Sequence, residues 1–403
     1  MKKHILIVSQ CFYPEQFRIN DMAEEWVKRD YKVTVLTGIP NYPQGKFYSG
    51  YGFFKKRKEN HNGVEIIRIP IIPRGHSKIG LILNYFSFVI SGFFWKSLTS
   101  VKADAVFTFQ VSPATQALVG VWYARRRKIP HYMYVQDLWP ESVTVAAGIN
   151  NKAIIGPIRK MVDKLYKRSH MILATSPSFV TEIQSRLETD KEKVVFFPQY
   201  AEEFYIPSDK KSDLIPQDGV FNVTFTGNIG TAQGLEILPE AARLLKDEGI
   251  SVRFNIVGDG RNRENFIASI KKCGVDEMFN LTGMVPATEV PSILASSDVA
   301  FLSFSPSPLY MMTIPAKLQS YMACACPIVA SASGETKRVI DEAGCGLCSE
   351  VGDVRALADN IKALMNSDLE KMGKASRAYF EANFDKKDLM DKMDIYFGER
   401  EKQ

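Results

Sequence analysis

A glycine-bearing turn is the first stretch of this sequence whose residue types could do chemistry. FTGNIGTAQG, residues 225–234, lies between a predicted strand and a predicted helix and contains Gly227, Gly230 and Gly234. Glycine lets the backbone approach a ligand closely, and the start of a helix offers free N–H groups to an anion. IVGDG, residues 256–260, repeats the arrangement around Gly258. Either loop alone could be an ordinary strand–helix turn, but the two side by side favour a phosphate-bearing ligand.

A lysine at the start of another predicted helix points to the same chemistry. In IPAKLQSYMACACP, residues 314–327, Lys317 follows Pro315, which suits the first turn of a helix. A lysine beside a helix N-terminus is unfavourable because both are positive, and it becomes favourable when an anion such as a diphosphate lies between them. The alternative is a solvated surface lysine.

Two carboxylates form a third candidate group. QDLWPES, residues 136–142, follows a predicted strand and places Asp137 and Glu141 near a chain turn. Both could bind a ligand or act as a base. The alternative is an Asx turn followed by an acidic residue at the start of a helix.

The elements that must position these residues alternate between strands and helices. HILIVSQ, KVTVLTG, ADAVFTF, HYMYVQD, MILATS and KVVFFPQ are predicted strands of the first half, and NVTFTG, VRFNIVG, FNLTG, VAFLSF and PIVASAS of the second. Such alternation builds parallel sheets. The sequence therefore predicts two doubly wound α/β units, residues 1–205 and 221–378, joined by a Pro-, Asp- and Lys-rich linker at 206–220. The ligand is expected at the carboxyl ends of the strands, in a cleft between the two units. Residues 379–403 are predicted to form a helix that packs back on the first unit.

The charge distribution suggests different partners for the two halves. Residues 1–200 contain 29 Lys and Arg against 15 Asp and Glu, and residues 201–403 contain 22 against 30. The basic half contains KKRK (55–58), RRRK (125–128) and the long apolar run 77–98. That run is interrupted by polar residues, so it favours a buried or interfacial helix flanked by lysines over a membrane-spanning one. An anionic membrane surface explains the charge better than nucleic acid, for which the sequence has no recognised motif.

Several classes of site are disfavoured by what the sequence lacks. The six cysteines are sparse, and Cys345 and Cys348 form a C-x-x-C without the second pair that zinc requires. No Asp-x-Asp occurs, which argues against a metal-dependent sugar-nucleotide site of that type. The apolar start, MKKHILIVSQ, is short for a signal peptide and is interpreted as a first strand. We therefore expect a cytoplasmic protein that needs no metal.

Taken together, the motifs resemble those of the retaining GT-B glycosyltransferases of family four. The similarity extends over nearly the whole chain, and it is strongest to the bacterial subgroup that makes O-antigen, capsule and colanic acid. The stretches that carry it are FYPEQFRINDMAEEW, VTVLTGIPNYPQGKFYSGY, QDLWPES, TGNIGTAQGLE, VGDG and IPAKLQSYMA. The resemblance implies two Rossmann-like domains, a nucleotide-sugar donor that is usually UDP-linked, and no cofactor. It also implies transfer to a lipid-linked saccharide, here a polyprenyl-diphosphate sugar, at the inner face of the cell membrane.

The resemblance also assigns residues to roles. Lys317 would neutralise the diphosphate and Asp137 would be the second catalytic residue. Residues expected to bind the donor are Gly227, Asn228, Gly230, Gln233, Gly258, Met284, Val285, Ile314, Pro315, Gln319 and Ser320. Gln319 and Ser320 fall where the ribose contact is expected. Residues expected to bind the acceptor are Tyr13, Glu15, Arg18, Asn41, Tyr42 and Glu141.

The sequence departs from the family pattern at its carboxylates. The family usually carries two glutamates eight residues apart, and here Gln319 or Ser320 stands at the second position and Met311 or Met312 at the first. Asn228 and Gln233 replace the usual Arg and Lys, and Gln136 replaces a histidine. Two other functions therefore compete with an active transferase: a catalytically silent nucleotide-sugar-binding scaffold and a nucleotide-sugar epimerase of the same two-domain shape.

Overall fold

The chain folds into two compact α/β units, residues 1–197 and 198–403. The computed structural model describes residues 3–75 and 77–398. Each unit is built on its own largely parallel sheet. The prediction of two doubly wound α/β units is confirmed.

Over residues 3–75 and 77–197 the first unit contains eight strands and six α-helices. The strands are β1 (His4–Val8), β2 (Lys32–Gly38), β3 (Lys58–His61), β4 (Val64–Ile69), β5 (Ala105–Gln110), β6 (His131–Val135), β7 (Met171–Ala174) and β8 (Val194–Phe196). The helices are α1 (Arg18–Lys28), α2 (Lys78–Leu98), α3 (Gln116–Arg127), α4 (Glu141–Ala147), α5 (Lys152–Arg168) and α6 (Pro177–Ser185). All six strands expected in this half are present.

The strand order of the first sheet is β3-β4-β2-β1-β5-β6-β7-β8. Every pair is parallel except β3–β4, which is an antiparallel hairpin that the sequence analysis missed. Its turn is Asn62-Gly63, and both residues have positive φ, 48° and 84°. Asn-Gly is the usual sequence of a two-residue hairpin turn of this kind.

Helix α2 explains the long apolar run at 77–98. Ser77 caps its start by accepting a hydrogen bond from the N–H of Gly80. The polar residues that interrupt the run all hydrogen-bond inward: Asn84 donates to the carbonyl of Ile72, Ser91 donates to that of Pro70, and the Ser87 hydroxyl accepts from the Ile72 N–H. These bonds fasten α2 to the segment that follows β4. Among the described helices, α2 is the one long and apolar enough to cross a membrane, and 17% of its apolar window is buried.

The second unit contains six strands and nine helices in its described part. The strands are β9 (Phe221–Thr226), β10 (Val252–Val257), β11 (Phe279–Gly283), β12 (Val299–Ser303), β13 (Ile328–Ser331) and β14 (Gly346–Ser349). The helices are α7 (Ile237–Asp247), α8 (Arg263–Cys273), α9 (Val290–Ala295), α10 (Pro308–Met311), α11 (Ala316–Ala323), α12 (Glu335–Ala343), α13 (Val354–Leu364), α14 (Leu369–Asn383) and α15 (Lys386–Gly398). The five predicted strands of this half are confirmed, and β14 completes the sheet in the order β11-β10-β9-β12-β13-β14.

The C-terminal segment contains parts of two helices. The predicted helix at 379–403 begins within α14, breaks at Phe384 and continues as α15. Its last residues, 399–403, lie outside the described part of the chain. Lys386 Nζ contacts Glu203 Oε1 at 2.7 Å, so α15 is fastened to the start of the second unit. Packing of this segment on the first unit stays a prediction.

Candidate active site

The candidate donor site lies where the strand order of the second sheet reverses. β9 lies between β10 and β12, so the loops after β9 and β12 leave the sheet towards opposite sides. Ligands of open α/β sheets bind at such a point, beyond the carboxyl ends of the strands. The predicted glycine loop at 225–234 follows β9 directly. The topology thus places this loop where a ligand is expected.

The two glycine loops pack against each other backbone to backbone. The Gly227 N–H donates to the carbonyl of Val257, and the Ile229 N–H donates to that of Asp259, each at 2.8 Å. A Cβ on Gly258 would lie 1.9 Å from the carbonyl oxygen of Gly227. Gly258 also has φ of +149°, which side-chain-bearing residues rarely adopt. Gly258 is therefore required by the packing of the two loops, whether or not it also contacts a nucleoside.

Lys317 lies directly beside the first glycine loop. Its Nζ is 3.9 Å from the centroid of the Phe225 ring. A Cβ on Gly227 would lie 2.7 Å from Cε of this lysine, so a side chain at position 227 would displace it. Burial lowers the pKa of Lys317 to about 7. Among residues 3–75 and 77–398, no carboxylate forms an ion pair with it.

The position of Lys317 at the start of a helix, without a counter-ion in the described chain, is electrostatically unfavourable for its charged form. Lys317 is in the first turn of α11, whose N-cap is Pro315. The helix dipole is positive at that end and disfavours the ammonium, as burial also does. An anion between the lysine and the glycine loop would compensate both effects. The surroundings of Lys317 therefore make this end of the second sheet a candidate site for an anion such as a diphosphate.

The rest of the glycine loop is anchored to the end of β12. Ser303 Oγ donates to the carbonyl of Gln233 at 2.5 Å, and the Ser305 N–H donates to that of Ala232 at 3.0 Å. Gln233 Oε1 accepts the Gly230 N–H at 3.1 Å, which caps the turn inside the loop. Gly227 and Asn228 are exposed, whereas Gly230 is half-buried. Asn228 is therefore free to turn towards a ligand, while Gln233 is occupied in holding the loop.

Helix α11 separates the roles of Gln319 and Ser320. Side chains advance about 100° per residue around a helix, so Ser320 lies about 60° from Lys317 and Gln319 about 160° from it. Tyr321 lies on the Lys317 side, where its hydroxyl accepts the Thr226 N–H at 3.0 Å. Gln319 is fully buried, and within the described chain its two amide atoms have no hydrogen-bond partner. Ser320, rather than Gln319, therefore faces the side of the anion site.

The remaining donor candidates lie at three different positions. Met284 follows β11 and is 81% exposed, and Val285 after it packs against two core clusters. Ile314 is buried in the core cluster around α11 and supports the start of that helix. Of these three residues, only Met284 presents a full side chain to a ligand.

In the first unit, Glu15 joins two loops that were predicted to bind the acceptor. Its Oε1 accepts the N–H groups of Asn41 at 2.7 Å and Tyr42 at 2.6 Å, and its Oε2 accepts that of Phe12 at 3.3 Å. Burial raises the pKa of Glu15 to about 6, although these hydrogen bonds favour the charged form. The loop after β1 and the loop after β2 are thus fastened by one buried carboxylate. Glu15 positions the predicted acceptor loops, and it is 1% exposed itself.

The aromatic acceptor candidates pack against basic residues. Tyr42 is 38% exposed, and the Arg74 guanidinium lies 5.2 Å from its ring centroid. Tyr13 stacks on His61 of β3 with ring centroids 3.6 Å apart, so the missed hairpin supports it. Arg18 is the first residue of α1, directly after the loop that contains Glu15.

The two carboxylates of QDLWPES have separate surroundings. Asp137 Oδ2 accepts the Ser112 N–H at 2.6 Å, which ties the loop after β6 to the loop after β5. Burial raises the pKa of Asp137. Glu141 begins α4, and its Oε1 contacts Arg159 Nη2 at 2.6 Å. Glu141 must exchange this partner before it can bind a ligand, whereas Asp137 has one oxygen committed to the backbone.

Tyr85 of α2 is a further candidate residue that was not predicted from the sequence. Burial raises the pKa of its phenol, and Arg74, Asp137 and Tyr42 all lie close enough to influence its charge. These residues come from four separate segments of the first unit. The one signal in the sequence that could have pointed to Tyr85 is its position next to Asn84, a polar residue that the apolar run must bury. Tyr85 and Arg74 therefore join the candidate acceptor site.

The pH dependence of stability tests the role assigned to Glu15. Its pKa is about 6 in the folded protein against an ordinary 4.5, so its stabilising effect is full below pH 4.5 and is lost as the pH rises through 6. We expect the wild-type free energy of unfolding, minus that of Glu15→Gln, to be greater at pH 4.5 than at pH 8 by about 2 kcal/mol. His131, whose pKa burial lowers to about 3, is present in both proteins and cancels. Urea unfolding measures the difference, and a pH-independent value would contradict it.

Metal-ligating residues are scattered in the described chain. Among residues 3–75 and 77–398, no three His, Cys, Asp or Glu side chains lie together as a metal would require. Cys345 and Cys348 are free thiols, and burial raises the pKa of each. Independence from metal stays a prediction.

The chain has two doubly wound α/β units, and the candidate anion site lies where the strand order of the second sheet reverses. This is the architecture of the GT-B glycosyltransferases. Residues 16–199 match the family of glycosyl transferase 4-like domains, and residues 208–380 match the glycosyl transferases group 1. The two halves belong to these families, and the protein is a glycosyltransferase.

The relatives and structural neighbours agree with this assignment. The putative colanic acid biosynthesis glycosyl transferase WcaI of Escherichia coli is 24% identical over 96% of this chain and 97% of its own. Sucrose-phosphate synthase of Thermosynechococcus elongatus superposes with a TM-score of 0.77 over 99% of both chains at 16% identity. HepE of Anabaena, solved in complex with UDP-glucose, has a TM-score of 0.70 over 98% of this chain and all of its own, at 13% identity. The protein is thus a glycosyltransferase of polysaccharide biosynthesis.

Proposed function

We propose that this protein transfers a sugar from a UDP-linked donor to a lipid-linked saccharide, with retention of configuration and without a metal ion. The observation that carries the proposal is the anion site formed by Lys317, the Gly227 loop and the start of α11. A nucleotide-sugar presents a diphosphate, which is the anion such a site fits best. The structural neighbour HepE was solved with UDP-glucose, which supports a uridine nucleotide as the carrier of the donor sugar.

In this proposal the second unit stabilises the leaving group. Negative charge develops on the diphosphate as the bond to the sugar breaks, and the Lys317 ammonium and the positive start of α11 already lie beside the Gly227 loop, where they would stabilise that charge. Preorganised donors of this kind are often the largest contribution to catalysis. Among residues 3–75 and 77–398 no carboxylate forms an ion pair with Lys317, and in this proposal the departing diphosphate itself accepts the proton of the acceptor hydroxyl. Asp137 and Tyr85 orient the acceptor on the first unit.

A polyprenyl-diphosphate-linked sugar is the proposed acceptor class. The relative WcaI is named as a putative colanic acid biosynthesis glycosyl transferase, which supports an acceptor of this class. The first unit is the basic one, which suits an anionic lipid and an anionic membrane surface. The proposed location is the cytoplasmic face of the cell membrane.

A donor screen tests this proposal. Nucleotide sugars are screened for an increase in melting temperature, and each that binds is offered together with a polyprenyl-diphosphate sugar. Transfer from a UDP-sugar supports the proposal. A nucleotide sugar that binds but is neither transferred nor hydrolysed would identify a silent scaffold, the function that the missing glutamates favour.

The pKa of Lys317 predicts a pH dependence of donor binding. Because this pKa is about 7 in the free protein and a diphosphate stabilises the ammonium, binding takes up a proton above pH 7. We expect the Kd for UDP to rise about tenfold per pH unit between pH 7 and pH 9. In Lys317→Arg the guanidinium stays charged, so the Kd should vary little over this range. Titration calorimetry at pH 7, 8 and 9 compares the two, and equal pH profiles would contradict the assignment.

A further inference from the structure

The outer face of α2 is a continuous apolar surface. Apart from Lys78 at its start, every exposed residue of this helix is apolar. Their exposed fractions run from 46% for Leu83 to 84% for Leu98. The residues are Ile79, Ile82, Leu83, Phe86, Ile90, Phe93, Phe94 and Leu98. Their spacing of one, three and four residues puts them on one side of the helix, opposite the buried Asn84, Phe88 and Gly92.

A loop that packs on the same core as α2 also presents aromatic side chains outward. Phe54, between β2 and β3, is 99% exposed, and Phe53 beside it packs edge-on against Phe47 with centroids 5.5 Å apart. Phe47 packs in turn against the core cluster that contains Phe88 of α2. The tip of the loop and the helix are thus linked by contacts, and both present aromatic side chains outward.

Positive charge borders the apolar surface. Lys78 and Lys96 lie near the two ends of α2, and Lys55 and Lys56 follow Phe54 directly. Residues 46–58 and 78–98 contain no Asp or Glu. Apolar residues rimmed by lysines match the boundary between the acyl chains and the headgroups of an anionic bilayer.

The inward hydrogen bonds decide how α2 would meet a membrane. Asn84 accepts from Gln10 at 2.7 Å and donates to the carbonyl of Ile72, and Gly92 packs against Val119 of α3. Crossing a bilayer would break these contacts and expose Asn84 to lipid. The helix must therefore stay on its sheet and can meet lipid only along its outer face.

We propose that the outer face of α2 and the Phe53–Phe54 loop insert into the headgroup region of an anionic membrane, with α2 parallel to the membrane plane. This inference rests on the proposed function, in which the lipid of the acceptor anchors the sugar in the membrane. Tyr85, which is half-buried and is a candidate acceptor residue, and Phe86, which is exposed, are consecutive in α2. The helix thus brings the acceptor site to the membrane surface where the lipid-linked sugar is held.

Vesicle binding tests this proposal without donor or acceptor, so its outcome does not depend on glycosyl transfer. The full chain is sedimented with vesicles of phosphatidylglycerol and phosphatidylcholine, and with phosphatidylcholine alone. The wild type should bind the anionic vesicles preferentially. Phe86→Glu/Ile90→Glu, at 58% and 57% exposure, should weaken binding at least about tenfold. Ile395→Glu, at 59% exposure on α15, is the matched control and should bind as the wild type does.

Three results would overturn the proposal. The first is a wild type that binds neither kind of vesicle, and the second is a Phe86→Glu/Ile90→Glu variant that binds as tightly as the wild type. The third is a wild-type dimer in light scattering that this variant converts to a monomer, because the surface would then be covered by a second copy of the chain. Circular dichroism verifies that each variant is folded, and Lys55→Gln/Lys56→Gln should weaken binding mainly at low salt.

Discussion

Replacing Lys317 with alanine is expected to lower the turnover of sugar transfer by about two orders of magnitude, because removing one preorganised donor to a developing anion costs about 3 kcal/mol of barrier. The ammonium lies beside Gly227 and over the Phe225 ring, where the diphosphate of a donor would bind. Among residues 3–75 and 77–398 it forms no ion pair, so its loss should leave the fold intact. Steady-state transfer and thermal unfolding measure the two effects.

Lys337→Ala is the matched control for this prediction. Lys337 is also a helical lysine of the second unit, but its Nζ is 3.6 Å from Asp341, within α12. Its loss should change turnover less than twofold, since exposed ion pairs contribute little. Near-normal turnover of Lys317→Ala, in a folded protein, would remove Lys317 from the mechanism.

Replacing Gly258 with alanine is expected to abolish donor binding and to destabilise the second unit by about 2 kcal/mol or more. The new Cβ would lie 1.9 Å from the carbonyl oxygen of Gly227, and backbone cannot move aside as a flexible side chain can. The two glycine loops would separate, and the hydrogen bond from Gly227 to Val257 would be lost. Thermal unfolding and UDP titration measure the outcome.

Gly219→Ala separates this clash from ordinary backbone strain. Gly219 has φ of +86°, but a Cβ there would meet nothing within 4 Å. Its replacement should cost about 1 kcal/mol of stability and leave UDP binding unchanged. If Gly258→Ala behaved in the same way, the packing of the two loops would not explain that glycine.

The strands were predictable because most of them are buried on both faces. β5 and β6 have every residue buried, and such strands are short apolar runs in the sequence. The β3–β4 hairpin was missed because KENH is an exposed, charged edge strand without an apolar run. The Asn62-Gly63 turn was the available signal.

The sequence was sufficient to predict which loops form the candidate site, but not what each residue in those loops contacts. The glycine loops and Lys317 lie together as expected, because strand order brings their loops to one edge of the sheet. Glu15 accepts hydrogen bonds from the backbone N–H groups of Asn41 and Tyr42. Such partners cannot be predicted from the sequence, because every residue except proline has a backbone N–H. The same limit applies to Tyr85 and to the clash that requires Gly258.

The configuration of the product tests the central claim most directly. The purified protein is incubated with a UDP-sugar and a short-chain polyprenyl-diphosphate sugar in the presence of EDTA, and the new glycosidic bond is identified by NMR. We predict transfer at an undiminished rate, with the anomeric configuration of the donor retained. The absence of transfer for every UDP-sugar tested, an inverted linkage, or activity that EDTA removes would contradict it.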